Sequence, residues 1–490
     1  MKKSILFFII VASAFFIAVF NCASPDYAGE GYYYNDNIKI KQKCDDVTTD
    51  GNYFYFTYDD SASTVAVELA KYKLKYENIL PYASLNRPWE FLNYESFIPT
   101  NTIQLDDVFS ISAGVWNRTN ITNEATDDYL LGVYVASPTI SLAERRNTVL
   151  TLVVDVSGSM GEYTTKVVES TYTKLDVMKY GLDKLIDYSL KNGDVVNLIK
   201  FASEASVVFE NKTYDSDKSY IKTTFANLNT EGSTNLNAGI SLAYQIAQNY
   251  YDSTKMNRVI MITDAYANTG EVDPTTISQK TSINNMEGIY FSGVGVGSDF
   301  NEAFLNELTE AGKGAYFSVI TNSDSDIAFR NRFIALLDVA ARDVKFKLEY
   351  PALLKHEESA SEELSQDESL VKSVNFSYNT DQYFFEKFSG LKSNFDTIKN
   401  NNFTLTIYYK DPKTYASKEV SKSYTINELL NKEINNIKDA EIITLLCKQI
   451  GKLTTYSKIS EILNLYYAGY TSTLFDEYKS LIEKYNALSQ

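Results

Sequence analysis

Residues Leu150 to Met160 read LTLVVDVSGSM, and the reading of this stretch decides the fold. An apolar run from Val149 to Val154 stops at Asp155. Ser157 and Ser159 follow at alternate positions, with Gly158 between them. A short apolar run bounded by turn residues reads as a strand buried on both faces, which is the habit of parallel sheets. The carboxylate and the two hydroxyls then sit on the loop at its carboxyl end, where open α/β sheets place their ligands. Such a loop is lined with oxygen, and hard cations such as Mg²⁺ take oxygen ligands.

Asp-x-Ser-x-Ser carries little meaning without structural context. Two further pieces supply it. Gly232-Ser233-Thr234-Asn235-Leu236 opens an amphipathic helix marked by Leu236, Ile240, Leu242, Ala243, Ile246 and Ala247. Arg258 to Thr263 is a second apolar run, and it ends at Asp264. Two strand ends and one helix start thus present Asp, Ser, Ser, Thr and Asp in that order. This arrangement resembles the metal-ion-dependent adhesion site of von Willebrand factor type A domains, whose five positions match Asp155, Ser157, Ser159, Thr234 and Asp264. The family commonly has glycine after the last Asp, where this chain has Ala265, a change in loop geometry rather than in a ligand.

The resemblance implies an α/β fold over residues 147–322, a doubly wound and mostly parallel sheet of Rossmann-like type. It implies a divalent cation, Mg²⁺ or Mn²⁺. The hydroxyls of Ser157, Ser159 and, in the ligand-bound form, Thr234 would bind directly, with Asp155 and Asp264 acting largely through water. The sixth ligand would be an Asp or Glu of a partner protein. Charge supports this division of labour: two carboxylates balance the ion, while neutral hydroxyls leave it electrophilic toward an outside anion. No positioned base, nucleophile or leaving-group acid accompanies the set, so it reads as a binding site and the protein as no enzyme. Two other readings stay open. One is a metal-dependent hydrolase, for which Glu162 is the nearby candidate base. The other is a structural envelope protein whose Asp, Ser and Thr only form turns and caps.

A chain of 490 residues calls for two or three domains. Hydrophobic content of 44% and charged content of 22% are those of a globular protein. The formal charge of −17 argues against nucleic acid, because phosphate contacts need Lys and Arg. The three cysteines, Cys22, Cys44 and Cys447, form no Cys-x-x-Cys pair, so a zinc site is not indicated. The one histidine, His356, lies in an acidic stretch, which argues against Ser-His-Asp chemistry.

Residues 1–21 read as an export signal: Lys2-Lys3 precede an apolar run from Ile5 to Phe20, and a retained anchor helix is the alternative. Val19-Phe20-Asn21-Cys22 resembles a bacterial lipoprotein cleavage box, although Phe20 and Asn21 are larger than usual there. Lipidation of Cys22 would anchor the exported protein to a membrane of the cell envelope, the outer membrane or surface before the inner. Residues 22–56 read as a tether, in which Cys44 is either free or paired with Cys447. Residues 57–146 form an N-terminal α+β region. Its Ser63-Thr64-Val65-Ala66 and Pro88-Trp89-Glu90-Phe91-Leu92-Asn93-Tyr94 resemble the corresponding part of bacterial lipoproteins of the YfbK type. The polar excursion Gly161 to Thr173 is placed on the rim of the metal site, either shaping partner choice or as a plain insertion. Residues 323–431 read as a helix (Asp324 to Ala341) plus a small β module containing an acidic loop, Glu357 to Glu368. Residues 432–490 read as a helical pair, Glu433 to Lys452 and Ser457 to Leu488.

Overall fold

The structure, a computed structural model, describes residues 52–60, 62–165, 172–265 and 288–490. The residues read as an export signal, Cys22, Cys44, most of the stretch read as a tether and the middle of the polar excursion lie outside them. Among the described residues, four strands precede the central domain: β1 (Tyr53–Thr57), β2 (Ile103–Gln104), β3 (Ser110–Thr119) and β4 (Thr126–Ala136). The central domain holds β5 (Thr148–Asp155), β6 (Val195–Phe201), β7 (Ala205–Thr213), β8 (Met256–Thr263), β9 (Ile289–Val296) and β10 (Lys313–Val319). Their order across the sheet is β10-β9-β8-β5-β6-β7, all parallel except β7, which runs antiparallel at the edge.

The quoted stretch occupies the middle of that sheet for a physical reason. All eight residues of β5 are buried, and its side chains divide between two apolar layers. Leu150, Leu152 and Val154 face Leu175, Met178, Leu182 and Ile186, carried by helix Lys174–Lys184 and the π-helical turn Leu185–Ser189 that extends it. Val153 turns the other way, into the layer containing Leu236, Ile240 and Ala243 of helix Leu236–Asn249. A strand covered on both faces is apolar except where a side chain finds a hydrogen bond, as Thr148 does by donating to Met256 O at 3.0 Å and Thr151 by accepting from Asn197 Nδ2 at 3.1 Å. Each fully buried apolar side chain contributes about 1.5–3 kcal/mol. The α/β doubly wound fold read from the sequence is the fold observed.

After the central domain come β11 (Val339–Glu349), β12 (Leu354–Ser359), β13 (Glu363–Ser365), β14 (Val374–Ser377), β15 (Asp381–Leu391), β16 (Asn402–Lys410) and β17 (Ser417–Thr425). These do not form a separate module. They join the strands that precede the central domain in two further sheets, β13-β1-β11-β16-β17, with β14 also on β11, and β12-β15-β4-β3-β2. β15 pairs with β4 along its whole length, Phe385 opposite Gly132. β1, which begins inside the stretch read as a tether, is buried between β11 and β13. The central domain is therefore inserted into a body built from both flanks.

Several local expectations differ from the structure. The helix read over 324–341 ends at Leu337, because Val339 to Ala341 pair as strand with β14. It is also broken into short turns, Asn322–Asp326, Ile327–Asn331 and Phe333–Leu337. The acidic loop contributes β12 and β13, and Glu363 is buried accepting the Lys372 backbone N–H. The helix read over 457–488 is two helices, Tyr456–Tyr466 and Thr473–Leu488. They part at Gly469, whose φ of +77° is left-handed and available to glycine at little cost.

Candidate functional site

Asp155 ends β5, and Asp264 follows the neighbouring strand β8, so two carboxylates emerge side by side at the carboxyl end of the sheet. Both are fully buried. One oxygen of Asp155 accepts the Ser157 backbone N–H at 2.8 Å, and the other accepts the Thr263 hydroxyl at 2.6 Å. Burial, and after it the charge of Asp264, push the Asp155 carboxyl up to about 6, against the hydrogen bonds from Ser157 and Thr263. A cation placed beside Asp155 relieves the cost of its buried charge next to Asp264.

The hydroxyls are arranged around this pair. Ser157 Oγ and Ser159 Oγ lie 3.1 Å apart, on the last residue of the strand exit and on the turn Gly158–Gly161. Thr234 is buried on a loop that backbone bonds tie to the strand ends: Gly158 N–H to Gly232 O at 3.0 Å, and Asn235 N–H to Ala202 O at 2.7 Å. Asn235 caps helix Leu236–Asn249 by accepting the Ala238 N–H at 3.1 Å. Gly232 has φ +41°, and a Cβ there would stand 2.3 Å from Ser203 Oγ, so glycine is required for the loop to close. Hence three loops carrying Asp155, Ser157, Ser159, Thr234 and Asp264 are brought to one place. Among the described residues, no group of three or more His, Cys, Asp and Glu side chains is arranged to hold a metal. This set has only two carboxylates, and its remaining donors are hydroxyls. Hard oxygens with two negative charges suit Mg²⁺ or Mn²⁺ by chemistry.

The sequence reading missed three neighbours of the site. Thr263, read only as the end of a strand, anchors Asp155. Lys174 places its ammonium 3.0 Å from Asp264 and 3.0 Å from Asp299. Glu77, from the flanking body, accepts hydrogen bonds from Thr165 Oγ1 at 2.7 Å and Ser298 Oγ at 2.6 Å, while Lys73 donates to Ser298 O at 3.1 Å. The flanking body thus grips the polar excursion and the loop after β9. Of the excursion itself, Tyr163 and Tyr172 are exposed, and Tyr163 bridges to Thr173. Glu162 is exposed, and its carbonyl accepts the Lys174 backbone N–H at 2.9 Å. His356 belongs to the flanking sheets, where it pairs with buried Glu386 at 2.9 Å beside Phe54 and Phe388. Cys447 is a free and fully buried thiol, and Cys44 lies outside the described residues. No helix among the described residues is long and apolar enough to cross a membrane.

Comparison with known proteins places the von Willebrand factor type A domain family on residues 150–267. The chain is 26% identical over 263 residues to the Escherichia coli (strain K12) protein "Uncharacterized protein YfbK", across 54% of this chain and 42% of that one. It is 25% identical over 211 residues to the Mus musculus "Inter-alpha-trypsin inhibitor heavy chain H3", across 41% of this chain and 22% of that one. The chain therefore spans less than half the length of these relatives. Among solved structures, the von Willebrand factor type A protein from Catenulispora acidiphila is similar at a TM-score of 0.44 and 13% identity, covering 81% of this chain and 90% of that one. The family match falls on β5, the Thr234 loop and β8, the three elements that carry the site: the central α/β domain of this chain is a von Willebrand factor type A domain.

Proposed function

We propose that this domain binds a divalent cation, Mg²⁺ or Mn²⁺, at Asp155, Ser157, Ser159, Thr234 and Asp264, and through it an Asp or Glu of a partner protein. The observation that carries the reading is the pair of fully buried carboxylates, Asp155 and Asp264, at adjacent strand ends beside serine hydroxyls 3.1 Å apart. Two carboxylates balance the charge of a divalent ion, while the three neutral hydroxyls leave it electrophilic, with a coordination position open to a carboxylate from outside. The protein acts as an adhesion or assembly module, with the body built from both flanks as its scaffold, and it performs no reaction. A lipidated Cys22 would hold it at a membrane of the cell envelope.

The test is chemical cross-linking of the full chain in its own cells with Mg²⁺ or with EDTA, for wild type and Asp155→Ala. A partner captured by wild type in Mg²⁺ and lost with EDTA and in the variant supports the reading. The same partners in all four samples would remove the metal from the account. Metal-dependent turnover of a generic ester or phosphoester, abolished by Glu162→Gln, would favour the hydrolase reading instead. Transfer of the protein from membrane to soluble fraction in Cys22→Ser tests the anchor.

A further inference from the structure

We infer that Lys174 is a resident cation of the site, holding Asp264 in the metal-free protein and keeping the affinity for divalent ions low. This inference rests on the metal-site reading above. Lys174 is 1% exposed, and a buried lysine is rare unless paired. It is also the first residue of helix Lys174–Lys184, where a cation opposes the helix dipole. Burial and dipole both disfavour an ammonium at this point, so its position requires specific compensation. The compensation is two carboxylates: Asp264, which belongs to the candidate metal set, and Asp299, each 3.0 Å from Nζ.

The surrounding backbone leaves room for this side chain. Gly297 has φ +94°, and a Cβ there would stand 2.8 Å from Lys174 Cε and 3.3 Å from Asp299 Oδ1. The main chain just before Asp299 is held as well, by Ser298 N–H donating to Thr164 O at 2.8 Å and by the Ser298–Glu77 bond. Lys174 and Asp299 are thus kept in place independently of any ion. A divalent cation entering the site meets an ammonium already engaged on one of its two carboxylates. Two cations sharing one carboxylate inside a protein repel strongly enough to move an equilibrium by a factor of about ten or more. Lys174 is a positioning residue in this scheme: it acts on the ion through Asp264.

The experiment measures Mn²⁺ affinity of residues 23–490, prepared as a soluble chain without the lipid anchor, by electron paramagnetic resonance, together with the thermal shift at fixed Mg²⁺. The proteins are wild type, Lys174→Met and Asp299→Asn. Lys174→Met keeps the length of the side chain and removes the charge, and it should bind Mn²⁺ at least about tenfold more tightly, with a larger Mg²⁺-induced shift than wild type. Asp299→Asn removes one of the two carboxylates 3.0 Å from the ammonium, concentrates it on Asp264, and should bind more weakly than wild type. If Lys174→Met fails to fold, Asp299→Asn decides: weaker binding supports the inference, and equal or tighter binding overturns it. Wild type that binds, beside a folded Lys174→Met that binds no more tightly, overturns the inference and leaves the metal site standing. Binding by Lys174→Met alone supports both. Binding by neither overturns both.

Discussion

Asp155→Asn should stabilise the metal-free protein at neutral pH, and the structure sets the size of the effect. The Asp155 carboxyl is fully buried and shifted from 3.8 to about 6, first by burial and then by Asp264. A folded-state value above the unfolded one means that the native state holds the proton more tightly. The contribution of this group is therefore most favourable below about pH 4 and is lost as pH rises through 6. A shift of about two units corresponds to roughly 3 kcal/mol of native-state cost at pH 7.5. Asparagine removes the charge. Its carbonyl oxygen still accepts the Ser157 N–H, and its amide can donate to Thr263 Oγ1, so the hydrogen bonds survive in altered form. Part of the gain is lost in that exchange, leaving an expected stabilisation of about 1–3 kcal/mol at pH 7.5 that fades toward pH 4. The assay is the urea dependence of hydrogen exchange in peptides covering β5 and β8, in EDTA, at two pH values. With Mg²⁺ the order should invert, because wild type alone gains from the ion. A variant less stable than wild type in EDTA at pH 7.5, with the same difference at pH 4.5, would refute the reasoning.

Three further outcomes follow from the packing. Arg145→Met should destabilise the central domain by about 3–5 kcal/mol in urea unfolding, because it strips the ion-pair partner from Asp194, with both side chains 0% exposed; a loss under 1 kcal/mol would contradict that. Ala265→Gly should stabilise the protein by about 0.5–1 kcal/mol, since Ala265 sits at φ +56° where glycine costs less, and a lower melting temperature would count against this. Cys447, buried and with its thiol pushed up by burial, should resist a disulfide reagent in the native protein and react only on unfolding; rapid native labelling would show the helix Ile434–Ile450 packed differently.

The candidate site was legible because its signals are local. An apolar run that ends in Asp marks a strand end, and it appears in residues 149–155 and again at 258–264; hydroxyls at alternate positions mark the loop after the first of these, at Ser157 and Ser159. The neighbours of the site were not legible. Lys174 meets Asp264 across 90 residues, and Glu77 meets Ser298 across 221, and no periodicity encodes such contacts. The same holds for the flanks. β4 falls in the region read as α+β and β15 in the stretch read as a small β module, but nothing local says that they pair with each other around an inserted domain. Ser457 to Leu488 reads as one helix because apolar spacing continues across the break, and only the left-handed Gly469 divides it.

The central claim is that an ion binds among Asp155, Ser157, Ser159, Thr234 and Asp264. Anomalous diffraction from crystals of the soluble chain grown with Mn²⁺ tests it most directly. The account predicts one strong peak within coordinating distance of the Ser157 and Ser159 hydroxyls, absent in Asp155→Ala. Well-ordered loops at full Mn²⁺ with no peak among these five residues would contradict it.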